Sequence, residues 1–160
     1  EEYIQVVNRR AIFEFLMGEG RDLYKNGGAA RRFQDAVLTN LLHTSIVSGF
    51  ADGSGQLAVA HATYDFLRTH HTEASYHFLH GEMVAVGLLV QMAYNGSSQE
   101  EIQAVRSLMA DMHMPLTLAD LEYDCSGAQR DFFLQTIAAD ANITTPADMS
   151  LLRAALEEAL

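Results

Sequence analysis

The chain has 160 residues, enough for one domain with a sizeable core. It is 49% hydrophobic, which excludes a disordered chain, and no apolar run approaches the length of a membrane span. A net charge of -11, with Lys25 the one lysine, argues against nucleic acid or an anionic membrane as partner. The single cysteine, Cys125, excludes an internal disulfide and a Cys-rich zinc site, and fits a reduced, cytoplasmic setting. Glu1 opens without a methionine or a signal-peptide pattern and runs straight into helical spacing, so the chain reads as a fragment of something larger.

Apolar spacing is helical almost everywhere. Tyr3 to Tyr24 carries Ile4, Val7, Ile12, Phe15, Leu16 and Leu23 between arginines and glutamates, until Asn26-Gly27-Gly28 breaks the pattern. A second long helix is expected from Ala29 to Phe50, with Phe33, Val37, Leu41 and Val47 near one face. Asp52-Gly53-Ser54-Gly55 reads as a turn, followed by a buried helix from about Gln56 to Leu67 and a polar connector over 68–75. Phe78 to Tyr94 is apolar nearly all round, as a central buried helix would be. Ser98 with Glu101 forms a capping box for the next helix, which reaches about Met112 and stops before Pro115. A short helix over Thr117 to Leu121 and a longer one over Gly127 to Ala141 follow. Thr145-Pro146 opens the last, with proline at its first position. No segment alternates with period two, so the expected fold is an all-α bundle of about six to eight helices as a single domain over 1–160.

Two histidines carry the chemical signal. His61 lies inside Leu57-Ala-Val-Ala-His61-Ala, and His80 opens His80-Gly-Glu-Met-Val-Ala-Val-Gly87. A histidine buried in an apolar run costs free energy unless its ring nitrogens find partners, and one shared divalent ion would serve both. The two are too far apart to share a helical turn, but antiparallel helices joined by the connector would bring them together. The competing reading is two separate core histidines, each bonded to a backbone carbonyl. Composition alone favours it, because two histidines without a third ligand are a weak metal signal.

The remaining candidates carry less. His77 lines the connector, three residues from His80, and Glu82 either orients an imidazole or serves as an acid in the first helical turn. Asp52 and Asp65 are the carboxylates nearest His61, and either would complete a site. The adjacent His70 and His71 point apart, into solvent or around a ligand, while His43 and His113 read as structural. Gly53-Ser-Gly55-Gln-Leu-Ala58 matches a loose dinucleotide fingerprint, but a helix rather than a strand precedes it, so no cofactor-binding residue is assigned. Cys125 has no histidine near it in sequence and is not read as a nucleophile. Met83, Met92, Met109 and Met112 sit at core spacing.

Taken together, Gly49-Phe50 through His61 and Tyr76-His77-Phe78-Leu79-His80-Gly81-Glu82 through Gly87 resemble the glycerol dehydrogenase branch of the iron-containing (group III) alcohol dehydrogenases. Met114-Pro115 through Leu121 and Thr145-Pro146-Ala-Asp148 also look like that branch. The resemblance implies a two-domain enzyme of which this chain is most of the helical C-terminal domain, the nucleotide-binding domain being absent from it. His61 and His80 would then be two ligands of a zinc or iron ion, with His77 and Glu82 around them and no further catalytic residue here. The third ligand, an aspartate, would lie upstream of Glu1, and NAD(P) would be bound by the missing domain. The complete enzyme is expected to be a homo-oligomer that oxidises a small polyol or alcohol, and the isolated chain to be inactive. Tyr64 stands where many members have another histidine, and the connector is about two residues longer than in the branch. Two rivals remain: a lyase resembling 3-dehydroquinate synthase, for which Lys25 and Arg68 offer few phosphate-binding cations, and a non-catalytic helical metal-binding or oligomerisation relic.

Overall fold

A computed structural model describes residues 2–49 and 58–160. It is helical throughout, with no strand among the described residues. The chain divides into two compact units, 1–55 and 56–160.

In the first unit, α1 (Glu2–Asn26) ends at Gly27, whose φ of 52° is the left-handed turn that a residue without a Cβ adopts freely. A 3-10 turn (Gly27–Ala29) leads into α2 (Phe33–Leu38), a π turn (Thr39–His43) and α3 (Thr44–Gly49). The helix expected from Ala29 to Phe50 is thus a later start and two α segments around a π turn; Phe50 itself lies outside the described residues. The return segment is tied to α1 by polar contacts. His43 Nδ1 lies 2.7 Å from Asn8 Oδ1, the Arg31 guanidinium 3.1 Å from the Glu19 carboxylate, and Arg32 stands over the Phe15 ring. Of the apolar side chains described here, Ala30 alone is buried.

The second unit contains α4 (Val59–His70), α5 (Thr72–Ser75), α6 (His80–Tyr94), α7 (Gln99–Asp111), α8 (Gly127–Asp140), α9 (Pro146–Ala155) and a terminal 3-10 turn (Leu156–Ala159). The all-round apolar α6 is central, as its sequence predicts: α4, α7, α9 and the terminal turn all pack on it. Phe66 and Leu67 of α4, Met83, Val86 and Leu89 of α6, Ile102 of α7 and Phe133 of α8 fill the core. Phe66 meets Tyr123, Phe132 and Phe133 edge to face at ring centroid distances of 4.8–5.4 Å.

The capping box read from sequence forms at α7, and α9 starts at Pro146 as expected. Ser98 Oγ accepts from the Glu101 N–H while the Glu101 carboxylate accepts from the Ser98 N–H. Thr145 Oγ1 accepts from the Asp148 N–H. The short helix expected over Thr117 to Leu121 does not form. There Asp120 accepts from the N–H groups of Leu116 and Thr117, and Thr117 Oγ1 accepts from the Asp120 N–H, a reciprocal cap, but the chain leaves after a single turn at Glu122, whose φ of 63° is left-handed and after which the Tyr123 N–H donates back to the Leu118 carbonyl. The connector holds one further short helix, α5. That helix and the π turn bring the described α-helical segments to nine, against the six to eight expected.

Candidate metal site

Helical phase decides where the two histidines go. In α4, Ala60, Ala62, Thr63, Phe66 and Leu67 are buried, which turns His61 and Tyr64 outward. At the start of α6, His80 and Gly81 are exposed and Met83 is the first fully buried residue. His61 and His80 are therefore both exposed, and the desolvation cost argued from their apolar neighbours does not arise. Gly87 of α6 lies against Ala60 and Thr63 of α4, and the two imidazoles face each other with ring centroids 5.8 Å apart and planes inclined by 48°.

Tyr64 completes this cluster. Its ring stands edge-on to His80 at 4.2 Å, and Arg68 lies over Tyr64 at 5.9 Å and over Tyr76 at 4.6 Å. Tyr64 was legible only as an odd residue within a motif; its spacing of three from His61 is the signal that places both on one helix face. Arg68 also donates to the Ser75 carbonyl at 3.4 Å, which ties the connector to α4.

Glu82 fixes the start of α6. Its carboxylate accepts from the Leu79 N–H at 2.7 Å, half of a capping box, since leucine has no acceptor to return. His77 turns to the loop after α7, where its Nδ1 lies 3.3 Å from both carboxylate oxygens of Glu122. His71 Nε2 lies 2.9 Å from the Glu122 carbonyl, and His70 packs against Phe66 and Phe132. Asp65 lines a separate cavity with Phe66, Thr69 and His70. Asp52 and the glycines of the Gly53-Ser-Gly55 motif lie outside the described residues.

A catalytic zinc takes three protein ligands and keeps one position open. Among the described residues, no group of three or more His, Cys, Asp or Glu side chains gathers to hold an ion. His61 and His80 thus supply at most two positions of such a set. A cavity of about 250 Å³ opens beside the start of α4, lined by Val59, Gln91, Tyr94, Asn142 and Asp148 among others, but neither histidine lines it. Cys125 is half-buried, and burial pushes its thiol up to about 11, so it is not an activated nucleophile.

No protein-family profile matches the chain. Individual proteins do. A glycerol dehydrogenase of Pseudomonas putida is 42% identical over 118 residues, which cover 71% of this chain and 30% of that protein. The chain resembles the C-terminal helical domain of the glycerol dehydrogenases. The glycerol dehydrogenase of Citrobacter freundii is 30% identical over 112 residues, covering 70% of this chain and 30% of that protein. Hydroxycarboxylate dehydrogenase A of Escherichia coli is 31% identical over 121 residues, covering 73% and 32%. The chain spans about a third of the length of these relatives. No helix among the described residues is long and apolar enough to cross a membrane.

Proposed function

We propose that this chain is the metal-holding helical domain of a glycerol dehydrogenase-like oxidoreductase, with His61 and His80 as two ligands of a divalent ion, zinc or iron. The observation that carries this reading is the approach of two exposed imidazoles from the first turns of two packed helices, with centroids 5.8 Å apart, in a chain related to glycerol dehydrogenases. An ion held there supplies Lewis acidity that eases deprotonation of a bound substrate hydroxyl. The chain's own residues orient the site. Tyr64 limits the rotation of the His80 ring, Arg68 braces Tyr64, and Glu82 fixes the end of α6 from which His80 projects.

The third ligand and the nicotinamide cofactor are assigned to the part of the relatives' length that this chain does not span. Hydride transfer requires the nicotinamide held within a few ångströms of the substrate carbon. A dinucleotide fold requires a strand leading into a glycine-rich turn, and the described residues contain no strand. The substrate is a small polyol in this reading.

Zinc titration of the 160-residue chain, by calorimetry, tests the site. His61→Ala and His80→Ala should each weaken binding at least tenfold; unchanged affinity in both overturns the assignment. The unaltered chain should show neither NAD binding in the micromolar range nor NAD-dependent oxidation of glycerol. Either result would place the cofactor site here and refute the division of labour. In a chain restored to its relatives' full length, glycerol should be turned over in preference to a hydroxycarboxylate. The reverse preference overturns the polyol assignment.

A further inference from the structure

Gly87 lies where α6 meets the backbone of α4. It is buried, and a Cβ placed on it would lie 2.8 Å from the Cα of Ala60, 2.8 Å from the Ala60 carbonyl oxygen and 2.8 Å from the Thr63 Cβ. Gly81, on the same helix, has nothing within 4 Å of the corresponding point. Two of the three contacts at Gly87 are to backbone atoms, which no rotamer change relieves. An ordinary carbon–carbon contact is about 3.5 Å or longer, so a methyl group here would part the helices locally by about 0.7 Å.

That displacement falls on the proposed ligand pair. Ala60 immediately precedes His61, and Thr63 immediately precedes Tyr64, whose ring stands against His80. His80 itself lies two turns before Gly87 on the same helix. Metal–ligand distances in protein sites hold to within about 0.2 Å, several times less than the shift a methyl group would force. Glycine inside a helix is less stable than alanine, so its place in the middle of α6 has a packing reason: it lets the two backbones touch.

We propose that Gly87 is a positioning residue for the metal pair. It sets the approach of α4 and α6 so that the imidazoles of His61 and His80 reach one ion. The proposal rests on the metal reading given above.

Copper(II) titration of the 160-residue chain tests it, with affinity read by calorimetry and the number of coordinated imidazole nitrogens read by electron paramagnetic resonance. The signal lost in His61→Ala identifies the pair's own complex, with two nitrogens expected in the unaltered chain. Gly87→Ala should stay helical by circular dichroism, bind at least tenfold more weakly and show one nitrogen. Leu134→Ala, which opens a cavity in α8, should lose stability yet keep both the affinity and the two-nitrogen spectrum. Wild-type binding in Gly87→Ala, or an equal loss in Leu134→Ala, overturns the positioning role while leaving the metal reading intact. Unchanged binding in His61→Ala overturns the metal reading, and the positioning role with it. Should Gly87→Ala not fold, Thr63→Ile wedges the same crossing from the α4 side, and the same two readouts decide.

Discussion

Asp120 shows how one side chain holds a turn. It accepts from the Leu116 and Thr117 N–H groups at 3.0 Å each, and these bonds, with that from the Leu116 N–H the largest, hold its carboxyl below the usual carboxylate range. Because the folded-state pKa lies below the unfolded one, the contribution is complete above the ordinary range and lost as pH falls through the folded value. Asp120→Ala should therefore cost about 1 kcal/mol at pH 7, and the gap to the unaltered chain in urea denaturation should close as the solution is acidified. A gap that persists undiminished into strong acid would show that the carboxylate's charge is not what holds the turn. His61 and His80 teach the complementary lesson. Their residue type and apolar neighbours marked them, but the neighbours misled about burial, since one step along a helix turns a side chain from core to solvent.

α4 runs to His70, three residues past the expected Leu67, whereas helices with a cap or an all-round apolar run were legible to within two residues. The start of α7 is the clearest case, because Ser98 and Glu101 satisfy each other's backbone donors. Ser98→Ala should lower stability by about 1 kcal/mol in denaturant titration; a change within error would mean that solvent caps α7 equally well. Where a helical pattern breaks off was less legible. Thr117 to Leu121 has apolar residues at helical spacing and a Thr117–Asp120 cap, yet Glu122 turns left-handed and closes it after one turn. Nothing in the residues from 33 to 49 marks the π turn at Thr39–His43, which the structure places where His43 meets Asn8 of α1. Gly87 was visible as a motif residue, but the reason for it is a contact with another helix.

Burial differs sharply between the two units. Among the described residues, the fully buried side chains lie in 58–160, whereas Tyr3, Val6, Phe13, Leu41 and Leu42 of the first unit are exposed. Protection from exchange follows buried apolar contact, so amides of α4 and α6 should exchange far more slowly than those of α1 and α2 in hydrogen–deuterium measurements. Comparable protection in both units would show that the first is stabilised by something other than a core of its own. The all-helical class, the central position of α6 and the starts of α7 and α9 could be derived from residue order, because periodicity and capping are local properties. The outward facing of the two histidines, their 5.8 Å approach, the packing of Tyr64 on His80 and the backbone contact at Gly87 could not. Each depends on how one helix lies against another, and that is settled by side-chain volumes meeting across an interface whose partners are distant in sequence.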